Sequence, residues 1–150
     1  MRIYTIGFCG KSAEDFFELL RGSGIRRVLD VRLKNVSQMA GFAKRQDLPY
    51  FLKTILGADC VHDPGLAPPR YLLDDWGACP SKDQVAFWPE YEKRFLRAMV
   101  ERRSLERQNQ EDFVKPTVLL CCEVKPDMCH RRLVAEGLQQ RWGDVEIIHL

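Results

Sequence analysis

The densest run of reactive side chains is Cys122-Glu-Val-Lys-Pro-Asp-Met-Cys129-His130-Arg131, which brings two thiols, two carboxylates, an ammonium, an imidazole and a guanidinium into one short segment. Asp127 reads as a helix N-cap, so Met128 to Arg131 fall in the first helical turn, where free N–H groups and the helix dipole favour anions. A thiol at Cys129 would lose its proton more readily there, and the thiolate is the nucleophilic form. Cys122, Glu123, Cys129 and His130 are therefore the candidate catalytic residues. Cys121, on the opposite strand face from Cys122, reads as a small buried hydrophobe. Cys122, Cys129, His130 and His62 offer a soft ligand set, but Cys-x6-Cys-His departs from the shorter spacing of zinc sites and no metal site is assigned. A histidine beside an arginine at a helix start is more simply an anion-binding pair.

Three further groups precede this cluster. Asp30 and Arg32 stand two apart, so on one strand they face the same side of a sheet. A guanidinium at a strand end grips phosphate or carboxylate through two parallel hydrogen bonds; the alternative is an aspartate capping a loop with the arginine paired to it. His62, followed by Asp63, closes another short strand. Gly7-Phe-Cys-Gly-Lys-Ser12 ends like a phosphate-binding loop, but only Phe8 and Cys9 separate Gly7 from Gly10. The nucleotide-binding loop needs four residues there to curl its N–H groups around a phosphate. Asp30, Arg32, His62 and Arg131 are the candidate ligand-binding residues.

The 150 residues, 45% hydrophobic and 29% charged, predict one domain over 1–150 with a core large enough to need neither disulfides nor metal. A net charge of +2 argues against a dedicated duplex-binding protein. No apolar run approaches the roughly 20 residues of a membrane span, and the N-terminus enters a strand instead of a signal peptide. The expected compartment is the cytoplasm, with the six cysteines reduced.

The side chains above must be positioned by alternating strands and helices. Strands are predicted at Arg2 to Phe8, Arg27 to Val31, Cys60 to His62, Thr117 to Cys122 and Val145 to Leu150. Ser12 with Asp15 starts a helix with Phe16, Leu19 and Leu20 on one face. Leu48 to Leu56 forms a second, with Phe51, Leu52 and Ile55 inward and Gly57 as its stop. Ser81 to Gln110 carries the longest helical pattern, in which Pro89 marks a first-turn position or a break, and Met128 to Trp142 the last. Lys34 to Lys44, Asp63 to Pro69 and Trp76 to Pro80 read as loops. This order predicts a three-layer α/β sandwich, Rossmann-like, with about five mainly parallel strands. Ligands bind beyond the carboxyl ends of such strands, where Phe8-Cys9, Asp30 to Arg32, His62-Asp63 and Cys121 to Glu123 gather. The last strand ends at His149 and adds no loop.

Thr5-Ile-Gly7, Asp30-Val-Arg32, Gly41-Phe42, His62 and Leu120-Cys-Cys-Glu123 with Cys129-His-Arg131 stand in an order that resembles the domain-of-unknown-function family number 488, over nearly the whole chain. The Cys-x-Glu element followed by Cys-His-Arg is its most specific part. The resemblance implies a cytoplasmic α/β domain and carries no established reaction. Phe8-Cys9 stands where the family usually has a polar pair such as His-Ser, and Leu33-Lys-Asn-Val-Ser-Gln-Met-Ala is poorer in arginine and proline than the family's loop. The layout is also similar to rhodanese-type sulfurtransferases, which share an Asp-Val-Arg strand end, although their cysteine runs directly into its helix.

These observations lead to the expectation of a strand-end cleft for an anionic ligand, a nucleotide or a nucleic-acid phosphate, in a hydrolase or transferase. Arg32 and Arg131 would contact phosphate, His62 and His130 would move a proton, and Asp30 and Glu123 would orient them. Lys34, Lys44, Arg45 and Arg70, with Phe42, Tyr71 or Trp76 for stacking, would serve a nucleic acid. The alternatives are sulfur or acyl transfer at Cys122 or Cys129 and a non-catalytic interaction module. No cofactor is assigned.

Overall fold

The computed structural model describes all 150 residues as five parallel strands and five α-helices. The strands are β1 (Arg2–Gly7), β2 (Arg27–Asp30), β3 (Asp59–His62), β4 (Thr117–Cys121) and β5 (Glu146–His149), ordered β3-β2-β4-β1-β5. The helices are α1 (Ala13–Gly22), α2 (Leu48–Leu56), α3 (Arg70–Ala78), α4 (Gln84–Glu101) and α5 (His130–Trp142). Every pairing is parallel, as the strand–helix alternation predicts. No helix is long and apolar enough to cross a membrane.

The alternation of residues along the strands fixes the three layers. Tyr4, Ile6, Val28, Val118 and Leu120 point to one face, where Phe16, Phe17 and Leu20 of α1 and Leu48, Leu52 and Leu56 of α2 cover them. Ile3, Leu29, Leu119 and Cys121 point to the other, under Leu72 of α3, Tyr91, Phe95 and Met99 of α4, and Leu133, Val134 and Leu138 of α5. β4 is buried along its whole length, as its unbroken apolar run requires.

Connectivity explains where a site forms. The chain leaves β1 and β2 for helices on one face and leaves β4 for α5 on the other, although β4 lies between β1 and β2. Adjacent strands whose connections diverge leave a crevice at their carboxyl ends. The segments after Asp30 and Cys121 border it.

Several local readings change. The segment read as irregular around Trp76 is α3, which has no side-chain N-cap and only one buried residue, Leu72, so its signals are weak. The long helical pattern stops at Glu101, and Arg103 turns back with a left-handed φ of 52°. Pro89 lies inside α4 instead of in its first turn. In α1 the buried face is Phe16, Phe17 and Leu20, with Leu19 turned outward. Ile55 of α2 is likewise at the surface. The loop read from Lys34 to Lys44 contains a 3₁₀ segment, Gln38–Ala43.

Candidate functional site

The β4–α5 junction differs from its sequence reading in one consequential way. α5 begins at His130 with Cys129, not Asp127, as its N-cap residue. Cys129 is thus extended and faces inward, almost fully buried, and Met128 lies outside the helix.

Three motifs lock together here. A Cβ on Gly7 would stand 1.7 Å from the Glu123 carbonyl oxygen, so only glycine lets the β4–α5 loop cross this close. That carbonyl accepts a hydrogen bond from Arg131 Nη1, while Nη2 donates to Val124 O at 3.2 Å. Nη1 also points at Cys129 Sγ, 3.5 Å away. Arg131 is completely buried and has no carboxylate partner, and its Nε has no hydrogen-bond partner. It ties the loop down from inside and does not reach the cleft.

His130 is held just as firmly. Its Nε2 lies 2.9 Å from the carbonyl of Val31, which assigns the N–H there and leaves Nδ1 free. Cys121 Sγ lies 3.7 Å from Nδ1. The ligand atoms of Cys121, Cys129 and His130 all lie within 4.8 Å of one another. The Cys129 S–H donated to Cys121, reinforced by His130, holds the Cys121 thiol well below its ordinary range despite burial. Cys129 is pushed up by that sharing and by burial. Burial pulls His130 down, but the neighbouring Cys121 outweighs it and leaves the imidazole raised.

Cys121, Cys122, Glu123, Cys129 and His130 line a cleft of about 370 Å³ together with Arg32, Lys34, Arg70, Trp76, Trp88 and Tyr91. Trp88 stacks on Tyr91 at 5.1 Å and Trp76 meets Trp88 edge-on at 5.7 Å, giving an aromatic wall. Arg70 is ion-paired to Asp74 across 2.8 Å.

The remaining predicted residues are placed differently. Asp30 and Arg32 form a buried bidentate pair, with both bonds at 2.7 Å; Ala43 O and Asn35 complete it. The capping-and-pairing reading describes Asp30. Arg32 spends Nε and Nη2 on this pair, yet its edge still reaches the cleft while its guanidinium lies 5.0 Å from the Phe8 ring. His62 donates from Nε2 to Arg32 O at 2.7 Å and lines a separate hollow of about 340 Å³ with Asp30, Asn35 and Cys60. The four-ligand set containing His62 and Cys122 is therefore not assembled.

The expectation of six reduced thiols is also corrected. Cys9 and Cys122 form a disulfide with Cα atoms 5.3 Å apart, and four cysteines are free. The reason is register: β1 and β4 pair with Gly7 opposite Cys121, so the residues just beyond both strand ends meet. Cys122 is consequently not a free thiol. Cys121 is the residue that sequence reasoning missed. The same alternation that separated it from Cys122 sends its sulfur to the α5 face, where Cys129 and His130 arrive.

The fold and this cluster define a small parallel α/β domain with a thiol–imidazole centre at its strand-end crevice. The model of the family described as "Domain of unknown function DUF488" matches residues 12–138, and the chain belongs to that family. No curated protein and no solved structure matches the chain.

Proposed function

We propose that the protein is an enzyme, a hydrolase or transferase, that acts on a small anionic, ring-bearing molecule such as a nucleotide held in the Trp76–Trp88 cleft. The observation that carries this is convergence: Lys34, which has no ion-pair partner, the Asp30-paired Arg32 and the Asp74-paired Arg70 border the cleft, and an aromatic wall leads from them to Cys121, Cys129 and His130 at one end. A phosphate at the rim would meet Lys34 and the free edge of Arg32, while a ring would lie against the indoles. The volume suits one nucleotide-sized ligand rather than a duplex. Lys34→Glu reverses the rim charge without touching the fold. It is expected to weaken binding of nucleoside phosphates by about tenfold or more in a thermal-shift titration, and unchanged affinity across the panel would reject the cleft as the binding site.

A second reading, thiol catalysis, has its own observation in the placement of His130 between Val31 O and Cys121 Sγ. In that mode His130 Nδ1 takes the Cys121 thiol proton, Cys121 Sγ bonds to the electrophilic centre as the bond to the leaving group breaks, and the leaving group takes that proton back from Nδ1. This moves the nucleophile from Cys122 or Cys129 to Cys121. Cys121→Ser would then abolish turnover while leaving ligand affinity intact; retained turnover would dismiss it.

A further inference from the structure

We propose that Cys121, Cys129 and His130 form a zinc site whose fourth position opens into the cleft. The inference rests on reading the cleft as the active site and says what works at its closed end.

The geometry matches the ion. With Zn–S near 2.3 Å and Zn–N near 2.0–2.1 Å, a tetrahedral centre has S···N edges of about 3.6 Å and S···S edges of about 3.8 Å. Cys121 Sγ already lies 3.7 Å from His130 Nδ1, and the three ligand atoms span no more than 4.8 Å. Closing on an ion needs side-chain movement of about 1 Å. Two thiolates and an imidazole suit a borderline-soft divalent cation. Three protein ligands plus one open position is the arrangement of catalytic zinc, as opposed to the closed four-ligand structural site.

The surroundings are those of metal ligands. His130 donates Nε2–H to the Val31 carbonyl, which fixes the ring and frees Nδ1 for coordination. Cys129 Sγ receives the guanidinium of Arg131, a fully buried cation with no carboxylate partner. Arg131 therefore aims a charged N–H at a sulfur that is a weak acceptor as a thiol and a strong one as a thiolate. With zinc bound that sulfur is a thiolate: Cys129 loses its proton and the Cys121–His130 pair loses the one it shares, the ion and two thiolates are neutral as a set, and the Cys129 thiolate accepts the Arg131 N–H. The sequence spacing hides this set because one ligand ends β4, one is the extended residue before α5 and one opens α5.

The test uses the full chain in non-reducing buffer, so that Cys9 and Cys122 stay bonded, stripped with chelator and titrated with Co²⁺ and then Zn²⁺ alone. One equivalent of Co²⁺ should give thiolate-to-metal charge-transfer and tetrahedral visible bands, Zn²⁺ should bleach them, and binding should release two protons. Cys129→Ser should weaken Zn²⁺ affinity by at least about 100-fold, while Cys60→Ser and Cys79→Ser should not change it. Absence of the charge-transfer band in the unmodified protein, or an undiminished band with unchanged affinity in Cys129→Ser, overturns the zinc site. Proton release needs no variant, so a folding defect cannot mask the answer. Nucleoside phosphates binding the cleft without metal uptake would refute zinc alone, and metal uptake without such binding would refute the anionic-ligand reading alone.

Discussion

Gly7→Ala tests whether the three motifs are truly interlocked. The new methyl would stand 1.7 Å from the Glu123 carbonyl oxygen, whereas real Cβ contacts are essentially never under 3.0 Å. The loop must therefore retreat by at least about 1.3 Å. That retreat strains or breaks Phe8 N–H to Cys121 O, Cys9 N–H to Cys122 O, and the Arg131 bond to Glu123 O. Two neutral bonds at about 1 kcal/mol each and one charged bond at about 1.5–3 kcal/mol give a loss of about 3.5–5 kcal/mol. For a domain of this size that lowers Tm by about 7–20 °C. Urea and thermal unfolding of Gly7→Ala beside Gly77→Ala provide the assay, because a Cβ at Gly77 meets nothing within 4 Å. Gly77→Ala should be neutral or stabilising by up to about 1 kcal/mol. A Gly7→Ala protein within about 1 kcal/mol of the parent would refute the clamp.

Other consequences follow from burial and bonding. Asp30→Ala leaves Arg32 buried without its bidentate partner and should cost about 3–5 kcal/mol in urea unfolding; a loss under about 1 kcal/mol would show that the pair is solvated. Alkylation of the denatured protein without reductant should label four cysteines, and six after reduction; six labels in both would contradict the Cys9–Cys122 bond. Burial pushes the Cys60 thiol up to about 11, so its native alkylation rate should still rise about tenfold per pH unit from 9 to 10, where an ordinary thiol has levelled off. The sign for stability follows: a raised folded pKa contributes stability below the unfolded thiol value near 8.5, and this contribution is lost as pH rises towards 11. A Cys60 rate that plateaus by pH 9 would contradict that burial.

The sheet was legible because β4 is an unbroken apolar run, the other strands are short apolar stretches between helical segments, and the longer helices repeat every three to four residues; the bounds of α2 and its Gly57 stop match, although its buried face is Leu48, Leu52 and Leu56. α3 was not, since a short helix with one buried leucine and no cap leaves little periodicity. Glu123, Cys129 and His130 were placed at the cleft from sequence because the rule of carboxyl-end loops depends only on strand direction. Cys121 and the Cys9–Cys122 bond were not. Both follow from which strands are neighbours, a property of topology that no local pattern in the chain encodes. Arg131 and His62 looked like ligand contacts for the same reason, since sequence spacing does not distinguish an arginine aimed at solvent from one spent on backbone carbonyls.

The most direct measurement follows the three indole N–H signals by nitrogen-15 NMR while nucleoside mono- and diphosphates are added. Trp76 and Trp88 line the cleft, whereas Trp142 packs on Phe113 at 4.9 Å, about 18 Å along α5 from His130. Saturable shifts of the Trp76 and Trp88 signals, with Trp142 fixed and the response lost in Lys34→Glu, are the predicted result. Shifts confined to Trp142, or no saturable response from any nucleoside phosphate, would contradict the cleft as an anionic-ligand site.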